Sequence, residues 1–145
     1  MNAVLENILT RRSYRAFTEQ KIAKEDLELI AKAGQYAPSA MNQQTFQITV
    51  VTNEDIIKRL YTAIPKYMEG LNASAYNFYG SKHLMLVSDL ASSEIGQMDC
   101  ACVAENIFLA ANSLGIGSVW VIAALGYATE PVGDKEKIAK IHFCE

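Results

Sequence analysis

The chain has 145 residues, 50% of them hydrophobic and 20% charged, which is typical of one globular domain and excludes a disordered protein. Its formal net charge is −3, which argues against a general nucleic-acid binder, because such proteins are usually basic. The three cysteines lack a disulfide framework, and neither a signal peptide nor a membrane-length apolar run is evident, so we expect a reduced cytoplasmic protein.

The first predicted helix is short and leads directly into a cluster of arginines. Its apolar residues, at helical spacing, are Val4, Leu5, Ile8 and Leu9. After it, Arg11, Ser13 and Arg15 alternate, so in an extended backbone they would share one face, with Arg12 and Tyr14 on the other. Guanidinium and hydroxyl groups are suitable donors to phosphate oxygens. The alternative is a solvated basic loop, and the spacing alone favours neither interpretation.

A second amphipathic helix is predicted to begin with the polar turn Lys24–Asp26. Its apolar residues are Leu27, Ile30, Ala31 and Ala33. The helix should end before Pro38, because the residue that precedes a proline is disfavoured in helical geometry. Pro38–Gln44 is then a loop, dense in side chains that can donate and accept hydrogen bonds.

The middle of the chain predicts a strand, a helix and another strand. Phe46–Val51 is short and rich in residues that favour strands. Asn53 is placed to cap a third helix, which should end at Pro65. Residues 66–80 are irregular and rich in tyrosine and asparagine, so we expect a mobile excursion there. His83–Val87 indicates the second strand.

Ile95–Leu114 is the longest periodic segment. Its apolar positions cover most of the helix circumference, so we expect burial on nearly all sides. Glu105 and Asn106 lie inside it and would need partners, because an unpaired charge is costly in apolar surroundings. Gly115 provides a left-handed stop, and the apolar run Gly117–Tyr127 predicts one or two buried strands.

The remaining residues form a charged tail that starts at Pro131 and closes on Ile141–Phe143. Its lysines include Lys135, Lys137 and Lys140. Two or three strands interleaved with about five helices predict a mixed α/β chain. Because no repeat or low-complexity linker divides the sequence, we expect residues 1–145 to form a single domain.

Several familiar kinds of catalytic site are not predicted. Gly115 and Gly117 follow a helix and precede a strand, which is the wrong order for a dinucleotide-binding fingerprint. The two histidines, His83 and His142, do not form a zinc cluster, and His83 is more typical of a satisfied strand histidine than of a catalyst. No nucleophile elbow or carboxylate pair can be nominated. An anion site, a polar loop and buried aromatic residues suit an enzyme whose cofactor carries the chemistry.

Five segments, taken in order, resemble the flavin-dependent nitroreductase family. They are Arg11–Phe17, Ala37–Gln44, Ala104–Ala111, Gly115–Trp120 and Ala124–Tyr127. No single segment is decisive, but the ordered set is specific and extends from the first helix to the tail. The resemblance implies an α+β fold, a nitroreductase-like α/β sandwich in which helices flank a mixed, mostly antiparallel sheet. It also implies an intertwined homodimer with an FMN in each of two interface sites.

The resemblance also implies which residues contact the cofactor. Those that would hold the FMN phosphate and ribityl chain are Arg11, Ser13 and Arg15, with Arg12 beside them. Those of the loop that would approach the isoalloxazine ring from the partner subunit are Pro38, Ser39, Ala40, Met41 and Asn42. Lys137 or Lys140 would complete the phosphate pocket, and the alternative for these lysines is a solvated tail.

The reaction that the resemblance implies is a ping-pong oxidation of NADH or NADPH, followed by reduction of a nitroaromatic, a quinone or a similar acceptor. The protein would align donor and acceptor over one face of the flavin. It would also make hydrogen bonds to the ring that set its potential. No catalytic side chain is expected.

The sequence departs from the family pattern in two places. Family members usually carry a helical segment between the strand near Trp120 and the strand at Ala124–Tyr127, and this segment supplies backbone contacts to the flavin ring. Here Val121–Ala123 joins them directly. The alternative function is therefore a flavin-binding or structural homodimer that has lost turnover. Phe46 replaces a common tryptophan, and we expect it to pack as an aromatic residue.

Overall fold

A computed structural model of the protein describes residues 1–63, 77–91, 93–121 and 141–144. The helices in these ranges are α1 (Ala3–Thr10), α2 (Lys24–Gln35), α3 (Glu54–Ala63) and α4 (Glu94–Ser113). The strands are β1 (Phe46–Val51), β2 (Leu84–Asp89) and β3 (Ile141–Cys144). Short 3₁₀ turns occur at Ala40–Asn42 and Phe78–Gly80. Apart from the buried strand expected from Gly117 onward, the helices and strands predicted within the described ranges are confirmed, with shifts of one or two residues at their ends.

The three described strands form a mixed sheet in the order β2-β1-β3. Strand β1 is antiparallel to β2, with Phe46 opposite Asp89 and Val51 opposite Leu84. It is parallel to β3, with Ile48 opposite Ile141. A strand at the end of the tail was not predicted. Strand β1 is therefore paired along both of its edges, and four of its side chains are buried: Phe46, Ile48, Val50 and Val51.

The main core lies where α2 and α4 pack on the sheet. Its buried residues are Leu27, Ile30, Ala31, Ala37, Phe46, Ile48, Val50, Val103, Ile107 and Ala111. Phe46 is fully buried, so the expectation that it packs as an aromatic residue is confirmed. Gly34 allows α2 to approach closely, since a Cβ there would lie 2.9 Å from both Ile107 Cγ1 and Ile48 Cδ1. Large side chains buried in this way each stabilise a fold by about 1.5–3 kcal/mol.

Helix α4 is buried along one stripe, not on all sides. The stripe consists of Gly96, Asp99, Val103, Ile107 and Ala111. On other faces Ile95 is 54% exposed and Met98 68% exposed, so the prediction of nearly all-round burial is wrong for the single chain. Glu105 is exposed and needs no buried partner. Asn106 does have one, because its Nδ2 donates to the Ala33 carbonyl oxygen at 3.0 Å.

Helix α1 contacts α4 through hydrogen bonds between polar groups. None of the residues of α1 is buried. Asn7 Nδ2 donates to the Leu109 carbonyl oxygen at 2.8 Å. Asn112 Nδ2 donates to Asn7 Oδ1 at 2.8 Å and to the Asn7 carbonyl oxygen at 3.0 Å. The apolar side chains of α1 are exposed; they are Val4, Leu5, Ile8 and Leu9.

The signals predicted at the ends of two helices, α3 and α4, are confirmed. Asn53 Oδ1 accepts a hydrogen bond from Ile56 N at 3.0 Å, which confirms the predicted cap of α3. Gly115 is left-handed with φ 72°, as predicted.

Phe78 packs into a second small core with Val51, so this end of the expected mobile excursion is ordered. Residues 64–76 lie outside the described residues.

The apolar run after Gly115 is the least accurately predicted part of the described fold. Of its described residues, 117–121, only Ser118 forms a β-bridge, and its partner is Ser13. Trp120 is 44% exposed. The expected buried strand is therefore wrong for these residues, and the remainder, 122–127, lies outside the described residues. None of the described helices is long and apolar enough to cross a membrane.

Candidate functional site

The arginine segment that follows α1 lies against the C-terminal half of α4. The Arg11 guanidinium carbon is 5.8 Å from the centre of the Phe108 ring, a cation–π distance. Tyr14 N donates to the Ser118 carbonyl oxygen at 3.0 Å. The Tyr14 ring packs on Gly117, where a Cβ would lie only 3.0 Å from Tyr14 Cδ2. The segment is therefore held at both its start and its middle.

The donors of this segment differ in how far they are already occupied. Arg12 Nη1 donates to the carbonyl oxygens of Leu9 at 2.9 Å and Arg11 at 3.0 Å, so it closes the end of α1. Ser13 and Arg15 are exposed. In the described part of the chain, no carboxylate forms an ion pair with any arginine of the segment. Their positive charge is therefore not neutralised by these residues.

The loop at Pro38–Gln44 has an unusual backbone. Met41, Asn42 and Gln44 are left-handed, with φ of 51°, 54° and 49°. This conformation costs a non-glycine residue about 1–2 kcal/mol. Hydrogen bonds across the loop hold it, because Ser39 Oγ accepts from Gln44 N at 3.1 Å and the Ser39 carbonyl oxygen accepts from Asn42 N at 3.0 Å. Met41 is 83% exposed, so packing does little to fix its conformation.

A buried carboxylate anchors this loop to α4. Asp99 is 8% exposed, and its two oxygens lie 3.1 and 3.2 Å from Ala40 N, which donates to both. Sequence reasoning missed this residue. A signal was present, because Asp99 has helical spacing with Val103 and Ile107 and so belongs to the buried stripe of the helix. An acid on such a stripe needs a donor, and the loop provides one.

Within one chain, the arginine segment and the polar loop do not meet. Asp99 holds the loop and Phe108 holds Arg11, and these two residues are about 14 Å apart along the axis of α4 at 1.5 Å per residue. The spacing corresponds to about two and a half turns, so they lie on opposite faces of the helix. Within one chain, the arginine segment and the loop therefore contact α4 on opposite sides.

Other titratable groups offer little chemistry. Burial lowers the pKa of His83, and the nearby Lys21 charge lowers it further. Burial raises the pKa of the Cys100 thiol to about 11, with further contributions from Asp89 and Asp99, so this thiol stays protonated at neutral pH. The described residues contain no cluster of histidine, cysteine and acidic side chains that could hold a metal ion.

Comparison with known proteins identifies the family. The sequence model of the nitroreductase family matches residues 8–141. The chain belongs to the nitroreductase family. A solved nitroreductase from Bacteroides fragilis, with bound FMN, is 36% identical and superposes with a TM-score of 0.79, covering 90% of this chain and 74% of that one. The predicted resemblance and the nitroreductase fold are thus confirmed.

Two relatives with functional names extend the comparison. One from Archaeoglobus fulgidus, provisionally named an NADH dehydrogenase or NAD(P)H nitroreductase, is 37% identical over 125 residues, which are 83% of this chain and 68% of that protein. The FMN reductase [NAD(P)H] of Bacillus subtilis is 30% identical over 129 residues, which are 89% of this chain and 49% of that protein. The chain thus spans about half to two thirds of the length of these relatives.

Not every predicted site residue of the chain can be placed. The described residues include the arginine segment and the whole loop Pro38–Gln44. Lys137 and Lys140 lie outside the described residues, as do Ala124–Tyr127. The assignment of all these residues to a cofactor stays a prediction.

Proposed function

We propose that this nitroreductase is an FMN-dependent oxidoreductase that oxidises NADH or NADPH and reduces nitroaromatics, quinones or similar acceptors in ping-pong order. Family membership carries the proposal. The FMN bound to the Bacteroides fragilis structure and the name of the Bacillus subtilis relative support it. We further propose that residues 1–145 act as one FMN-binding domain, and that the protein works in the cytoplasm, where free thiols such as Cys100 and Cys102 stay reduced.

The donors present fit the two ends of FMN. A phosphate needs cationic and neutral donors without competing carboxylates, and Arg11, Ser13 and Arg15 provide them. An isoalloxazine ring needs amide-type partners beside an apolar surface, and the loop offers exposed Asn42 next to exposed Met41. When bound, FMN would supply the hydride chemistry. The residues named here would bind it and orient it.

We propose that the complete site forms between two copies of the chain. The arginine segment and the loop lie on opposite faces of α4, so a second copy is needed to bring them together. The apolar residues that the single chain leaves exposed on α1 and α4 would be covered at such an interface. They are Val4, Leu5, Ile8, Leu9, Ile95 and Met98. We expect sedimentation to show a dimer, and a stable monomer at micromolar concentration would contradict this.

The first experiment is spectroscopic. The purified protein should be yellow, or become yellow with added FMN, and the visible flavin band should bleach when NADH or NADPH is mixed with it anaerobically. A quinone should then restore the band. If flavin binds but stays oxidised with both donors, the protein is the flavin-binding homodimer without turnover, as the short join at Val121–Ala123 allows.

The phosphate assignment has its own test. Replacing Arg11 and Arg15 together with alanine should raise the Kd for FMN about a hundredfold or more, because each charge-assisted hydrogen bond contributes about 1.5–3 kcal/mol. The matched control replaces Lys58 and Arg59 on α3, which removes the same two charges elsewhere. We expect the control to change the Kd less than threefold. Equal losses in both double variants would show that only the net charge matters.

A further inference from the structure

We propose that Asp99 is a positioning residue, which holds the loop Pro38–Gln44 in the conformation that contacts the flavin ring. This inference rests on the proposed function. The side chain is 8% exposed and lies on the buried stripe of α4. Its two oxygens share the amide hydrogen of Ala40, at N–O distances of 3.1 and 3.2 Å. Asp99 would act through the loop backbone and would not itself touch the cofactor.

The loop needs such an attachment because its own interactions are weak. Three of its residues are in the left-handed region, which a free loop of non-glycine residues would leave. The bond from Gln44 N to Ser39 Oγ is exposed and competes with water. The neighbouring residues Ala37 and Phe46 are buried and fix the two ends. Asp99 adds a buried carboxyl acceptor at Ala40, near the start of the loop, and this bond is partly shielded from water.

The affinity for FMN should depend on the fraction of molecules in which the loop has the binding conformation. If only a fraction of the molecules holds the loop correctly, the apparent affinity for a ligand of the loop falls by that fraction. Loss of the Asp99 carboxylate should therefore weaken FMN binding even though the phosphate donors stay unchanged. The same loss should also be visible without any flavin, as faster exchange of the loop amides.

The experiment compares Asp99→Ala, Asp99→Leu, Asp99→Asn and Asn106→Ala with the wild-type protein. Asn106 is a matched control, because it lies two turns along the same helix and also binds one backbone group, the Ala33 carbonyl oxygen. Three quantities are measured: hydrogen–deuterium exchange of a peptide covering residues 38–45 in the apoprotein, the Kd for FMN, and the shape of the bound flavin's visible band. The thermal midpoint of each variant records general stability.

Asp99→Ala should accelerate exchange in the loop and raise the Kd for FMN, each by about tenfold or more, the factor that corresponds to one charge-assisted bond. It should also alter the flavin band. Asn106→Ala should lower the thermal midpoint. It should leave the exchange of the loop and the Kd for FMN within about twofold of wild type and the shape of the flavin band unchanged. Asp99→Asn keeps one acceptor oxygen, so it should rescue part of the effect, with changes of about fivefold or less.

Two results would overturn the proposal. One is a loop in Asp99→Ala that exchanges, and binds FMN, as in wild type. The other is an equal change in Asn106→Ala, which would indicate general destabilisation. If Asp99→Ala does not fold, Asp99→Leu decides, because it removes both acceptor oxygens and keeps an apolar side chain of similar size; wild-type exchange in its loop would contradict the role. If the wild type itself binds no FMN, the proposed function fails, while the exchange experiment still decides whether Asp99 holds the loop.

Discussion

Replacing Gly96 with alanine should destabilise the protein by displacing a neighbouring carboxylate. Gly96 lies in the first turn of α4, and a Cβ there would overlap the Asp89 carboxyl group. Asp89 closes the connection between β2 and α4. It accepts hydrogen bonds from Ser93 N at 2.7 Å, Thr45 Oγ1 at 2.7 Å and Ala91 N at 3.1 Å. A longer bond comes from Ser93 Oγ at 3.3 Å. The alanine methyl group therefore cannot be accommodated unless the carboxylate moves.

The size of the effect follows from these bonds. A hydrogen bond to a charged acceptor contributes about 1.5–3 kcal/mol when it is shielded. Asp89 is only partly buried, so water replaces much of what is lost, and we expect a loss of about 2–4 kcal/mol from the three short bonds together. Alanine gains about 0.5–1 kcal/mol over glycine within a helix. The net decrease in the free energy of unfolding should be about 1–3 kcal/mol.

A double-mutant cycle in urea separates this mechanism from a general effect of the substitution. Gly96→Ala is measured in the wild type and in Asp89→Ala, at one pH and one protein concentration. In Asp89→Ala the obstructing atoms are absent, so the same substitution should be neutral or slightly stabilising. An equal loss of unfolding free energy in both backgrounds would refute the reasoning.

Two further predictions concern stability. Burial raises the pKa of Asp89, but bonds from Ser93, Thr45 and Ala91 outweigh it and hold the pKa below its usual 3.8. The stability that the Asp89 charge contributes is therefore fully present above pH 3.8 and is lost as the pH falls through the lower pKa of the folded state. The free energy of unfolding should therefore exceed that of Asp89→Asn at neutral pH, and a difference that persists unchanged at about pH 2 would contradict this. Gly34→Ala should cost about 1–2 kcal/mol in urea unfolding, since overpacking against Ile107 and Ile48 exceeds the helical gain; a more stable variant would show that this packing is looser.

The elements of the fold were predictable where the pattern is local. Strand β1 was predicted with its observed bounds, and α4 within one residue at each end, because apolar periodicity and capping residues are read from neighbours in the sequence. Strand β3 was missed, because its pairing with β1 joins residues far apart in the chain. The burial of α4 was overestimated since an apolar side chain does not reveal whether its own chain or a second copy covers it.

The candidate site was predictable in composition but not in its support. The arginines, Ser13 and the polar loop stand out as donors in the sequence. The role of Asp99 depends on a contact with Ala40, 59 residues away in the chain, which no local pattern reveals. The same holds for Arg11 on Phe108. Assignment of these residues to FMN rests on family resemblance, because donor groups alone do not distinguish one phosphate ligand from another.

The most direct test of the proposed function is an anaerobic titration of the FMN-treated, gel-filtered protein with NADH or NADPH, followed in the visible flavin band. Flavin should remain with the protein through gel filtration and lose its visible absorbance as the nicotinamide is added. A protein that emerges colourless after treatment with excess FMN would contradict the flavin site, and a band that neither nicotinamide bleaches would contradict the oxidoreductase activity.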